Sequence, residues 1–115
     1  MATILIVDDD STTRMMCAGM LSAHDCVEAE HGESALTQLN AHTFDLLLTD
    51  LEMPVMNGLE LIHEIRRSYK DLPIVVMTGC DAEDLRQEAL DAGAQAILGK
   101  PFGLDRLITT LNPLL

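Results

Sequence analysis

Aromatic side chains are almost missing from this sequence, which has no tryptophan, one tyrosine and two phenylalanines. A flavin flanked by aromatic rings therefore has little to draw on. Basic residues are scarce as well, 7 against 19 acids, for a formal net charge of −12. A surface so negative repels a phosphate backbone, so direct nucleic-acid binding is not expected. The three cysteines, Cys17, Cys26 and Cys80, are odd in number and far apart. That excludes a disulfide framework and any Cys-x-x-Cys motif, and they read as reduced, mostly buried thiols. No stretch approaches the roughly 20 apolar residues of a membrane span. The opening MATILIVDDD has neither a basic n-region nor a cleavage site. No membrane association and a cytoplasmic location are the expectations.

What is present is an alternation of two patterns. Short β-branched and leucine-rich runs end abruptly in polar residues at Thr3–Val7, Cys26–Glu30, Asp45–Thr49, Pro73–Met77 and Ala96–Gly99. Between them lie stretches of helical period at Ser11–Ser22, Glu33–Ala41, Gly58–Ser68, Ala82–Ala92 and Leu104–Leu111. The first, third and fourth runs are continuously apolar, as strands covered on both faces of a parallel sheet are. Cys26–Glu30 alternates instead, which suits an edge. Ser11 is a candidate N-cap and Gly93 a C′ glycine. Five βα units predict an α/β, doubly wound (βα)5 sandwich of flavodoxin-like type. Its parallel five-stranded sheet is expected in the order 2-1-3-4-5. The 115 residues suit one domain, 1–115, and the 15 after Lys100 are enough for one helix but no output domain.

In such folds ligands bind beyond the carboxyl ends of the strands, where the strand order reverses. Here those ends carry Asp8-Asp9-Asp10, Asp50, Thr78 and Lys100. Adjacent strands lie about 4.8 Å apart, so Asp50 should approach Asp8 and Asp9. Three carboxylates this close raise one another's pKa unless a cation intervenes. Oxygen ligands without His or Cys suit Mg²⁺, or Mn²⁺, better than zinc. A hydroxyl (Thr78) and an ammonium (Lys100) beside them are what the oxygens of a transferring phosphoryl group need, with a carboxylate as nucleophile.

Val7-Asp8-Asp9-Asp10-Ser11, the run Leu48–Gly58 (LTDLEMPVMNG), Met77-Thr78-Gly79 and Gly99-Lys100-Pro101-Phe102 together resemble the receiver domains of two-component response regulators. The resemblance covers nearly the whole chain, in order and spacing. It implies phosphorelay signalling, with Asp50 taking a phosphoryl group from a histidine kinase or histidine phosphotransfer protein. Asp9 and Asp50 would hold Mg²⁺ directly, Asp8 mainly through water, and Glu52 by its backbone carbonyl. Thr78 would donate its hydroxyl and Gly79 its backbone N–H to the phosphoryl group, and Lys100 would pair with another oxygen. The Lys100–Pro101 bond would be cis, and Gly58 would open the third helix. Such a domain catalyses only its own phosphorylation and dephosphorylation, so it is not an enzyme acting on other substrates.

Two positions depart from the family pattern. Ile97 stands where an aromatic switch residue is common, either as a small exposed patch or as a half-buried switch coupled to Thr78. Glu52 adds a negative side chain beside an already negative pocket. On the first helix a core stripe of Thr13, Met16, Cys17, Met20 and Leu21 would turn Arg14, Met15, Ala18, Gly19 and Ser22 outward. In the family this helix docks on the bundle bearing the phosphohistidine, so Arg14, Met15 and Ala18 form the expected partner face. Asp10 reads as a helix cap, the four histidines as surface or loop residues, and the acids of Ala82–Ala92 as a solvated face.

Two rivals fit less well. A flavodoxin-like electron carrier wants a Ser/Thr/Gly phosphate loop after the first strand, where this chain has three aspartates. An aspartate-nucleophile phosphatase wants its second acid near the first strand and a cap over the substrate. Glu52 follows the third strand, and no cap segment exists.

Overall fold

The computed structural model, which describes residues 1–80 and 82–115, alternates strands and helices throughout. The order is β1 (Thr3–Val7), α1 (Ser11–Met20), β2 (Asp25–Ala29), α2 (Gly32–Ala41), β3 (Leu46–Asp50), α3 (Gly58–Ser68), β4 (Ile74–Thr78), α4 (Glu83–Ala92), β5 (Ala96–Gly99) and α5 (Leu104–Leu111). A short 3-10 turn at Asn112–Leu114 follows. The strands form one parallel sheet in the order β2-β1-β3-β4-β5, as the apolar patterning requires.

The side-chain period of two divides the sheet cleanly. Ile4, Ile6, Leu46, Leu48, Val75, Met77 and Leu98 pack against Cys17 of α1, its C-cap Leu21, and Leu107 and Leu111 of α5. Leu5, Val7, Leu47, Ile74 and Val76 face the other way, against Ala35 and Leu39 of α2, Leu61, Ile62 and Ile65 of α3, and Ala89 of α4. Every side chain of β3 and β4 is buried, which is why those runs carry no alternation. β2 is the half-exposed edge, and it starts one residue earlier than its sequence pattern indicates.

Strand ends also differ slightly from expectation, with a consequence for the site. Asp50 and Thr78 are the last residues of β3 and β4, not the first residues beyond them. Pairing extends that far because Asp50 lies opposite Met77 and Thr78 opposite Gly99. Both side chains are therefore held by a rigid ladder.

Helix ends correct other expectations. Asp10 caps α1, as expected of it, accepting from the Thr12 amide at 3.1 Å and the Thr13 hydroxyl at 2.8 Å, while Ser11, the other candidate, is already helical. Those two bonds hold the Asp10 carboxyl below its usual pKa, the hydroxyl contributing most. His31 closes a capping box with Ser34 at the start of α2, and His24 accepts from the Ala2 amide at 3.0 Å. Two of the four histidines thus fasten backbone. The acids of α4 (Glu83, Asp84, Glu88 and Asp91) are exposed, as expected.

Two loop positions carry backbone constraints. A Cβ on Gly58 would lie 2.6 Å from the Asp50 carbonyl oxygen and 2.7 Å from Leu51 Cα, so only glycine lets α3 begin directly over the end of β3. Val55, 93% exposed in the β3–α3 loop, sits at φ 67°, a left-handed conformation that costs a β-branched residue dearly. Val55→Asn should therefore stabilise the domain by about 1 kcal/mol, since asparagine tolerates this region. Urea unfolding measures it, and an unchanged or lower midpoint would show that the loop does not hold this φ in solution.

Candidate functional site

Alternation along three strands brings the chemistry together. Asp8 continues the face of Ile4 and Ile6, Asp50 that of Leu46 and Leu48, and Lys100 that of Leu98, so all three emerge on the side covered by α1 and α5. Lys100 Nζ donates to Asp8 Oδ2 and to Asp50 Oδ1, each at 3.1 Å, joining residues 92 and 50 positions apart. Asp8 and Asp50 are buried, with side chains 1% and 5% exposed, whereas Asp9 faces solvent. Asp8, Asp9 and Asp50 each offer a carboxylate oxygen, all within 4.8 Å of one another. Two bonds hold the first loop in place. The Asp10 amide donates to Asp8 Oδ1 at 2.9 Å, and Arg14 donates to the Asp8 carbonyl at 2.6 Å.

Charge follows from this burial. Asp50 is pushed up to about 6, first by desolvation, which the Lys100 hydrogen bond opposes and the nearby Asp8 charge reinforces. Burial alone would lower Lys100, but its bonds to Asp50 and Asp8 outweigh that and leave it raised, hence fully charged near neutral pH. One ammonium shared between two buried carboxylates leaves negative charge in excess. Oxygen donors of this number and spacing fit a small hard dication that keeps some of its waters.

Thr78 is buried at the end of β4 and hydrogen-bonds in two directions. Its hydroxyl donates to Glu52 Oε1 and accepts from the Cys80 amide at 3.0 Å. Gly79, between them, is exposed with open space around its Cα. The Lys100–Pro101 bond is cis, as the resemblance implied. Ile97 is half-buried and packs on the α2/α3/α4 side opposite Val76, so it is not an exposed patch.

The partner face of α1 needs correction. Arg14 does not face outward, because its guanidinium is drawn onto Glu28 at 3.1 Å and its side chain is only 13% exposed. Ala18 is half-buried against the α1/α5 core. The covered positions are thus 13, 14, 17, 18, 20 and 21, which keeps Thr13, Cys17, Met20 and Leu21 of the expected stripe, while Met16, expected inside, is 42% exposed. Met15, at 70% exposure, does face solvent, as do Gly19 and Ser22. The sequence pattern misjudged the helix phase because a charged Arg14 reads as outward until its two acceptors are known. Cys80 is exposed, against the expectation of burial, whereas Cys17 is buried and its thiol is pushed up to about 11 by that burial. A cleft of about 350 Å³ lined by Thr13, Met16, Lys100, Pro101 and Phe102 opens beside the site. A wider one of about 950 Å³ lies at the opposite end of the sheet and contains none of the candidate residues.

A doubly wound sheet whose switch point holds three carboxylates, a bridging lysine and a strand-end threonine defines a phosphoacceptor class of α/β protein. Comparison with known proteins agrees. Residues 4–112 match the family model of the response regulator receiver domain, and the chain belongs to that family. It is 40% identical over 114 residues to the response regulator MprA of Mycobacterium avium, covering 97% of this chain and 50% of the relative. The chain thus spans about half the length of the curated relatives it matches. Among solved structures, the chemotaxis protein CheY4 of Vibrio cholerae superposes with a TM-score of 0.95 at 34% identity, covering 100% of this chain and 99% of that one. TrrA of Thermotoga maritima, in complex with Mg²⁺ and BeF, gives 0.90 at 32% identity, covering all of both chains. The chain is therefore a receiver domain of two-component signalling, which implies a cognate histidine kinase, and its acidic triad is typical of the Mg²⁺ site of such domains. Among the described residues no helix is long and apolar enough to cross a membrane.

Proposed function

We propose that residues 1–115 act as one phosphoacceptor unit in which Asp50 accepts a phosphoryl group from a histidine kinase or histidine phosphotransfer protein. The observation that carries this is the Lys100 ammonium bridging Asp8 and Asp50 at 3.1 Å each, at the end of a fully buried strand. An Asp50 carboxylate oxygen attacks phosphorus, a new O–P bond forms, and the P–N bond to the donor imidazole breaks as that ring takes up a proton. Asp8, Asp9, Asp50 and the Glu52 backbone carbonyl would hold Mg²⁺ or Mn²⁺, which when bound supplies charge neutralisation for the incoming group. Lys100, already oriented at the nucleophile, pairs with a phosphoryl oxygen, while the Thr78 hydroxyl and the Gly79 N–H take others. Turnover of external substrates has no support, and with a net charge of −12 the domain itself is not a nucleic-acid binder. We place it in the cytoplasm, away from the membrane.

Half-buried Ile97 leaves the outward signal without an aromatic switch, so Thr78 and the β4–α4 loop carry it. Docking by the protein donor falls on the exposed part of α1, where Met15 offers an adaptable apolar contact beside the cleft at Met16 and Phe102. Incubation with a small phosphodonor and Mg²⁺ should add one acid-labile phosphoryl group, and chelation should prevent it. Met15→Glu should slow transfer from the partner protein by about tenfold, equivalent to one or two lost apolar contacts, and leave the small-donor rate unchanged. Equal slowing with both donors would remove Met15 from the docking surface.

A further inference from the structure

The Thr78 hydroxyl has a single proton, and in this structure that proton is committed. It points at Glu52 Oε1, while one of the oxygen's two lone pairs accepts from the Cys80 amide. Thr78 is buried at the end of β4, and Glu52, two residues beyond Asp50, reaches it from an exposed position. A proton held by one carboxylate cannot at the same time be donated to a phosphoryl group on another.

We propose that Glu52 is a latch: its carboxylate occupies the Thr78 hydroxyl in the resting state, and phosphorylation proceeds only as Thr78 exchanges that acceptor for a phosphoryl oxygen. This rests on the reading of Asp50 as phosphoacceptor and adds to it a positioning residue that sets the balance between resting and phosphorylated forms. A hydrogen bond to an ionised acceptor stabilises the state that contains it, here the unphosphorylated one. Glu52 acts through Thr78, and its backbone carbonyl, the atom assigned to the cation, is untouched by substitution of the side chain. The Glu52 side chain also lies within hydrogen-bonding reach of the Asp50 carboxyl, so removing the Thr78 hydroxyl is what isolates its bond to Thr78.

Charge offers a different explanation for any effect of Glu52, because a carboxylate near an incoming anion also repels it. The two explanations separate in a double-mutant cycle with Thr78→Val, which keeps the side-chain shape and deletes the hydroxyl. The probe is beryllofluoride, a phosphoryl mimic, titrated in saturating Mg²⁺ and followed through amide resonances, with Mg²⁺ alone as control. With a latch, Glu52→Ala binds beryllofluoride roughly threefold to tenfold tighter than the native protein. Glu52→Gln, which keeps a neutral acceptor, gains less, and Glu52→Ala in the Thr78→Val background gains almost nothing. The resting spectrum of Glu52→Ala should also show a shifted Cys80 amide, since that N–H reports directly on the Thr78 oxygen. An equal gain for Glu52→Ala with and without the Thr78 hydroxyl would overturn the latch in favour of charge, as would equal gains for Glu52→Ala and Glu52→Gln. Binding that is unchanged across the Glu52 variants overturns it too, while leaving phosphorylation of Asp50 standing. A native protein that neither binds beryllofluoride nor takes up phosphoryl on Asp50 overturns the phosphoacceptor reading itself, and the latch with it.

Discussion

Asp50→Asn is expected to take up no phosphoryl group from a small phosphodonor under conditions in which the native protein takes up one. The substitution keeps the shape of the side chain at the end of β3 and the ladder that fixes it, but exchanges a carboxylate oxygen for an amide. An amide oxygen is a far poorer nucleophile toward phosphorus, so the effect is complete loss rather than slowing. Asp9→Ala should abolish the reaction by another route, through the cation that the three carboxylates share within 4.8 Å. Intact-mass analysis before and after acid treatment measures both. Label persisting at native level on another residue in Asp50→Asn would sink the assignment.

The same substitution should make the cation-free domain more stable, and the pH dependence carries the sign. Folding raises the Asp50 pKa from 3.8 to about 6, chiefly through burial. A carboxyl so raised favours the fold while protonated. That stability is fully present below pH 4 and is lost as pH rises through about 6. The difference of about 2 units corresponds to about 3 kcal/mol, an upper figure because water and neighbouring groups relax around the charge. Asparagine does not titrate. In chelator, native and Asp50→Asn should therefore melt alike near pH 4 and diverge to a plateau above pH 6, the variant melting higher by on the order of 10 °C. Added Mg²⁺ should narrow the gap by stabilising the native protein through mass action. A variant that melts no higher than the native protein at pH 8 in chelator would mean that Asp50 is not held at a cost in charge.

Most of the architecture was legible along the chain. Continuous apolar runs at Ile4–Val7 and Ile74–Met77 and the alternation at Cys26–Ala29 separated interior strands from an edge, and the sheet order followed. Boundaries missed by one residue where pairing with a neighbour extended a strand, as at Asp50 and Thr78, because a ladder partner leaves no mark in the local pattern. The acids and the lysine stood out because four successive strand ends carried them. Their handedness in space did not, since it depends on each strand's parity against the common face.

Local pattern along the chain was enough for the five βα units, for telling the doubly covered strands from the half-exposed edge, and for the set of groups gathered at the carboxyl ends. Those properties rest on periodicities that repeat within a few residues, so any local window contains them. Packing in three dimensions was needed to establish that Lys100 bridges Asp8 and Asp50, that Arg14 turns inward onto Glu28 and the Asp8 carbonyl, and that His31 and His24 fasten backbone. The left-handed φ of Val55 and the donation of the Thr78 proton to Glu52 emerge at the same level. Each of these is settled by a partner or a chain path set elsewhere in the fold. A charged side chain's direction is a competition among all acceptors within reach, and that list exists only once the strands are packed side by side.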